Sequence, residues 1–160
     1  MFRNIVVAVD GSSHSDKAVA VAGELAGRLE ADLTITHALI QGPIPKELAR
    51  LSSEPVPEMP PMSVGGAAVG NQVSRTALQS IAKALLEQAQ ASAREAGAKS
   101  VETTWHEGDP ANVVLYEARS RNADLVILGC RGLGGVKGLL MGSVSSKVNQ
   151  LFEGSVLTVK

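Results

Sequence analysis

The sequence predicts an α/β fold, an open five-stranded parallel sheet with helices on both faces. Two observations predict it. Short, continuously apolar runs rich in Val and Ile recur along the chain, as strands covered on both sides require. Between them lie segments whose apolar residues return every three or four positions, as in helices with one buried face. That alternation gives βαβ units, and right-handed crossovers leave few layouts. The layout expected has strand 1 in the centre, strands 2 and 3 to one side, and strands 4 and 5 to the other.

Asn4–Asp10, NIVVAVD, is the first strand. The polar turn DGSSHSD follows, and then a helix. Ser15 is its expected N-cap, with Ala18, Val21, Ala22, Leu25 and Leu29 on the buried face. Asp32–Leu39, DLTITHAL, is the second strand. The stretch 41–71 holds six of the seven prolines together with Gly42, Gly65, Gly66 and Gly70. It reads as an irregular connection with one helical turn around Glu47–Leu51. A lid over a site and an insertion without fixed structure both fit, and composition favours the insertion.

From Gln72 to Ala96 the periodicity predicts a long amphipathic helix. Val73, Ala77, Leu78, Ile81 and Leu85 form its stripe, Ala89 and Ala93 lie behind, and Gly97 ends it. Ser100–His106, SVETTWH, alternates apolar and polar residues like a more exposed strand. Asp109 as N-cap and Pro110 at the first helical position are a strong start signal for the next helix. Ala123–Gly129, ADLVILG, is a buried strand. Ser143–Phe152 is a short helix expected to turn Val144, Val148 and Leu151 inward, and Ser155–Val159 is the last strand.

The whole chain, 160 residues, suits one domain with a sizeable core. A formal charge of −1 offers no broad basic field for nucleic acid or acidic membranes. Phe2, Trp105, Tyr116 and Phe152 are its only aromatic residues, too few for a base-stacking platform. With Cys130 as its only cysteine, the chain forms no internal disulfide and no cysteine-based zinc cage. The N-terminal apolar run is too short for a signal peptide core or a membrane span, so a cytoplasmic protein is expected.

In an open parallel sheet, ligands bind beyond the carboxyl ends of the strands where the winding reverses. Here the reversal falls between strands 1 and 4. The turn after strand 1 therefore meets the stretch GCRGLGGVKGLLMGS, Gly129–Ser143, which holds six glycines, two cations and no acid. Gly129 ends the strand, and Gly132 lets the backbone bend with its amides inward. Gly142 and Ser143 open the last helix, whose unpaired amides and dipole attract an anion. Arg131 and Lys137 add positive charge, and the length of the loop favours phosphate over carboxylate. Neither a P-loop nor the Gly-x-Gly-x-x-Gly dinucleotide fingerprint fits this spacing.

The spacing Gly129-x2-Gly132-x9-Gly142-Ser143 resembles the ATP-binding motif of the universal stress proteins. NIVVAVDGSSHS, ITHAL, EGDPANVVLYEA, ADLVILGCRGLGG and LLMGSVSSKV resemble that family's blocks in the same order. The resemblance implies a Rossmann-like domain of strand order 3-2-1-4-5 with an adenine nucleotide, ATP or a relative, along the crevice. It implies Asp10 on the ribose or adenine side, with Ala8 and Val9 beside it and the backbone of Ala38 at the adenine ring. Gly129, Gly132, Gly142, Ser143 and Val144 would hold the phosphates, with Mg2+ bridging them. It also implies a homodimer through Ser155–Val159, an edge strand that needs a partner.

Other readings are plainer. Cys130 is expected to be a small loop residue rather than a redox thiol. His14, His37 and His106 all fall near carboxyl ends of strands, yet they show no ligand spacing and no evident orienting carboxylate, which argues against a metal site. His14 and Lys147 are expected to face solvent. No constellation for phosphoryl transfer stands out beyond Arg131, Lys137 and Glu107 or Asp109. The function expected is therefore an ATP-binding regulatory protein of the stress response. A slow ATP hydrolase or adenylate-transferring enzyme using the same crevice is the alternative.

Overall fold

The computed structural model describes residues 1–40, 46–52, 74–133 and 141–160. Its elements are β1 (Asn4–Val9), α1 (Ser13–Leu29), β2 (Asp32–Leu39), α2 (Lys46–Ala49), α3 (Arg75–Glu95), β3 (Ser100–Glu107), α4 (Pro110–Ser120), β4 (Leu125–Gly129), α5 (Ser143–Leu151) and β5 (Ser155–Val159). The sheet runs β3-β2-β1-β4-β5 with every pair parallel, the layout expected from the sequence. Gln72, Val73 and Lys137 lie outside the described residues.

Each face of the sheet carries its own core. On one, Ile5, Val7, Val9, Leu33 and Ile35 pack with Ala18, Val19 and Ala22 of α1 and Leu85, Leu86 and Ala93 of α3. On the other, Val6, Val126 and Leu128 pack with Val114, Leu115 and Ala118 of α4 and Val148 of α5. β1 thus buries both of its faces, which explains its unbroken apolar run. Each large aliphatic side chain so buried contributes about 1.5–3 kcal/mol.

Local chemistry moves several boundaries. Ser12, not Ser15, caps α1: its hydroxyl accepts from the Ser15 amide at 3.2 Å. The buried face of α1 is Ser15, Ala18, Val19, Ala22, Gly23 and Ala26, leaving Val21, Leu25 and Leu29 half-buried at its rim. The reason is a close crossing with α3. A Cβ on Gly23 would lie 2.5 Å from the Ala93 carbonyl oxygen, and one on Gly27 would run into that of Gly97. Small residues hold this contact, and a hydropathy stripe does not register them.

β4 begins at Leu125 because Asp124 has another task. Its carboxylate accepts from the Arg3 and Asn4 amides at 2.7 and 3.0 Å, pinning the start of β1. Leu151 faces outward, 50% exposed, contrary to expectation. The chain leaves α5 immediately after it, and Phe152 packs against the core in its place. The expected helical turn near Glu47–Leu51 is present as α2, with Leu48 and Leu51 seated on the first core.

Gly23→Ala should destabilise the chain by about 1–3 kcal/mol through overpacking against Ala93. In an exposed helix the same change would gain up to about 1 kcal/mol. Urea unfolding midpoints of the variant and the parent check the sign.

Candidate functional site

β1 pairs with β2 as far as Val9 and His37, but with β4 only from Ile5–Leu125 to Val7–Ile127. Beyond that point the pairing of β1 with β4 ends, and the loops that follow the two strands meet. Asp10 bridges them. One carboxylate oxygen accepts from the Ser12 amide at 3.0 Å, closing the turn after β1. The other accepts from the Leu133 amide at 3.2 Å, in the loop after β4. A Cβ on Gly132 would run into that second oxygen, so Asp10 and Gly132 meet face to face.

Ser12 adds a second stitch, since its hydroxyl donates to the Arg131 carbonyl at 3.3 Å. Gly129 abuts the first turn of α1: a Cβ there would sit 2.9 Å from His14 and 3.0 Å from the Ser15 amide nitrogen. On the far side of the loop, the Gly142 amide donates to the Cys130 carbonyl at 2.7 Å. The Ser145 hydroxyl contacts both the Cys130 carbonyl, at 3.3 Å, and the Gly142 carbonyl, at 3.0 Å. Gly142 caps α5 without a side-chain hydrogen bond of its own, as a glycine must.

The structure therefore brings Asp10, Gly129, Arg131, Gly132, Gly142 and Ser143 to one end of the sheet, with Arg131, Gly132 and Ser143 exposed. Ala8 is half-buried and packs against the second core, as does Val144. Val9 is buried, and its carbonyl accepts from His37 Nδ1 at 2.8 Å. Ala38 lies near the end of β2, in register with His106. The Leu133 amide is held by Asp10.

Charged neighbours are committed elsewhere. Lys147, expected to be merely solvated, pairs with Asp109 at 3.0 Å. Asp109 also caps α4 through the Asn112 amide, and these bonds, that to Lys147 first, hold its carboxyl below the usual range. Glu107 pairs with Arg75 at 2.7 Å. His14 is half-buried beside Gly129 rather than solvated. His106 does have an orienting carboxylate: Glu117, buried in α4, meets its Nε2 at 2.9 Å and accepts from Arg121 Nε at 2.9 Å. Among the described residues, no group of three His, Cys, Asp or Glu side chains is arranged to hold a metal ion. A shallow groove of about 540 Å³ lies between α4 and α5, lined by Asn112, Leu115, Tyr116, Arg119, Ser120 and Leu151. None of the candidate site residues lines it.

Sequence reasoning missed Ser12, His37 as a prop for β1, and Ser145. Ser12 carried a readable signal, a hydroxyl three residues before Ser15 in a turn opened by Asp-Gly. The partners of His37 and Ser145 depend on strand register and loop closure, which leave no local mark.

A doubly wound sheet with glycine-rich loops meeting at its switch point defines a class of α/β protein in which ligands bind beyond the carboxyl ends of the strands. Comparison narrows the class: residues 1–160 match the universal stress protein family, and the chain belongs to that family. It is 33% identical to the universal stress protein YxiE of Bacillus subtilis, covering 100% of both chains. A universal stress protein solved in complex with cAMP is 26% identical, with a TM-score of 0.68 over 99% of this chain and 96% of that one. The fold is also that of UspA from Lactobacillus plantarum, 21% identical, with a TM-score of 0.70 over 99% of this chain and 97% of that one. Among the described residues, no helix is long and apolar enough to cross a membrane.

Burial lowers the His37 pKa below its ordinary value of 6.5, outweighing the Val9 carbonyl and the Asp10 charge. The unfolded chain then binds more protons, so stability rises with pH. The contribution of His37 should fade as pH drops past about 6.5 and be gone below its depressed folded value. Urea midpoints at pH 7.5 and 5.5 should differ more for the parent than for His37→Asn.

Proposed function

We propose that the chain is an adenine-nucleotide-binding regulatory protein of the stress response, with ATP as ligand and residues 1–160 acting as one cytoplasmic domain. The observation that carries this reading is the Asp10–Gly132 contact across the opening between β1 and β4. It puts a carboxylate suited to ribose hydroxyls or adenine beside a backbone stripped of Cβ atoms, next to the helix start that suits phosphate. The cAMP complex of the 26% identical relative supports an adenine nucleotide as the ligand class.

Asp10, with Ala8 and Val9 beside it, would contact the ribose or adenine side, and the backbone of Ala38 would meet the adenine ring. Gly129, Gly132, Gly142, Ser143 and Val144 would take the phosphates, with Arg131 supplying charge. Mg2+ brought in with the nucleotide would offset the phosphate charge that Arg131 leaves unneutralised. Glu107 and Asp109, the acids nearest to hand for the hydrolase alternative, pair with Arg75 and Lys147. The outer edge of β5, at Ser155–Val159, would pair with a second copy.

Chromatography of the supernatant from denatured protein should reveal adenine nucleotide, and calorimetry with Mg-ATP should show saturable binding. Gly132→Val should weaken that binding at least about tenfold, a loss of about 1.4 kcal/mol, while circular dichroism stays unchanged. An empty preparation that ignores Mg-ATP would sink the reading. Sustained release of ADP, lost in Asp10→Ala, would favour the hydrolase.

A further inference from the structure

The turn that carries Asp10 is held from outside by a residue of the connection. Gly11 has φ +81°, the left-handed region that lets the chain reverse so that the Ser12 amide reaches Asp10. Its open side is filled. The atoms nearest to where a Cβ would stand are Leu48 Cδ2, at 2.6 Å, Leu48 Cγ, at 3.6 Å, and Leu85 Cδ1, at 3.7 Å. Leu85 belongs to α3 and is part of the main core. Leu48 comes from α2, the short helix beyond the end of β2, and its side chain occupies the space that glycine leaves. α2 thus bears on the same three-residue turn whose carboxylate grips the loop after β4.

We propose that Leu48 is a positioning residue for the candidate nucleotide site: seated on Gly11, it fixes the turn that presents Asp10 to Gly132 and Leu133, and so couples α2 to ligand occupancy. This rests on the nucleotide reading for its functional consequence, but its geometric part does not. Removing the Leu48 side chain frees the Gly11 turn, loosens both bonds to Asp10, and weakens the ligand. By linkage, ligand bound at Asp10 must in turn hold α2 down.

Leu51 supplies the control. It packs against the same core but supplies none of the three atoms nearest to where a Gly11 Cβ would stand. In Leu48→Ala, hydrogen exchange of the Ser12 and Leu133 amides should rise, and Mg-ATP affinity should fall at least about fivefold. Leu51→Ala should leave both within about twofold of the parent, and Leu48→Met, close in volume, should restore them. Mg-ATP should slow tryptic cleavage after Arg50 in the parent and do so less in Leu48→Ala. Unchanged amide exchange in Leu48→Ala would overturn the inference. So would unchanged affinity, or equal losses in Leu51→Ala. If the parent binds no adenine nucleotide, the functional reading falls by itself, and the amide exchange still decides whether Leu48 positions Asp10.

Discussion

The carboxylate of Asp10 joins two turns that are 123 residues apart in sequence. Past Val7 and Ile127 the β1–β4 ladder has ended, so nothing in the sheet itself dictates how the two loops should lie. Asp10 supplies that instruction by accepting one amide from each. Hydrogen bonds to an ionised group contribute about 1.5–3 kcal/mol, less where water reaches them. Here their larger effect is geometric. They set the mouth of the crevice at the one place where a doubly wound sheet parts its strands.

Around this bond the molecule is built by close approach. The first turn of α1 presses on Gly129, its middle presses α3 through Gly23, and α5 begins where Gly142 bonds back to Cys130. The contacts at Gly129 and Gly23 leave no room for a side chain, so small residues are required where these elements meet. The cores interlock through small and β-branched residues at short range, and such interiors resist deformation. A rigid sheet beneath a hydrogen-bonded mouth is a suitable base for recognising a ligand without first having to order itself.

The parts of this arrangement that obey local rules were legible in the chain. Strand β5 was read at its observed limits because Ser155–Val159 is an isolated apolar run after a glycine. The cap of α4 was read from Asp109 and Pro110 alone. The meeting of the β1 and β4 turns follows from topology alone. What escaped notice depends on distant partners. DGSSHSD offers several hydroxyls able to cap α1, and only the reach of Ser12 to Arg131 favours one of them. The buried face of α1 departs from the apolar stripe because Gly23 and Ala26, though buried, carry little hydrophobic signal. Glu117 reads as a surface acid on an amphipathic helix until β3 places His106 against it. The seat of Leu48 on Gly11 lies within a proline-rich stretch whose composition argues for disorder.

The ligand proposed above sits between the Asp10 turn and the loop after β4. Titrating isotope-labelled protein with Mg-ATP and following amide chemical shifts by NMR tests this most directly. The account predicts that the largest changes fall on Gly11, Ser12, Leu133, Ser143 and Val144. Changes confined to Leu115, Tyr116 and Arg119, in the groove between α4 and α5, would contradict it.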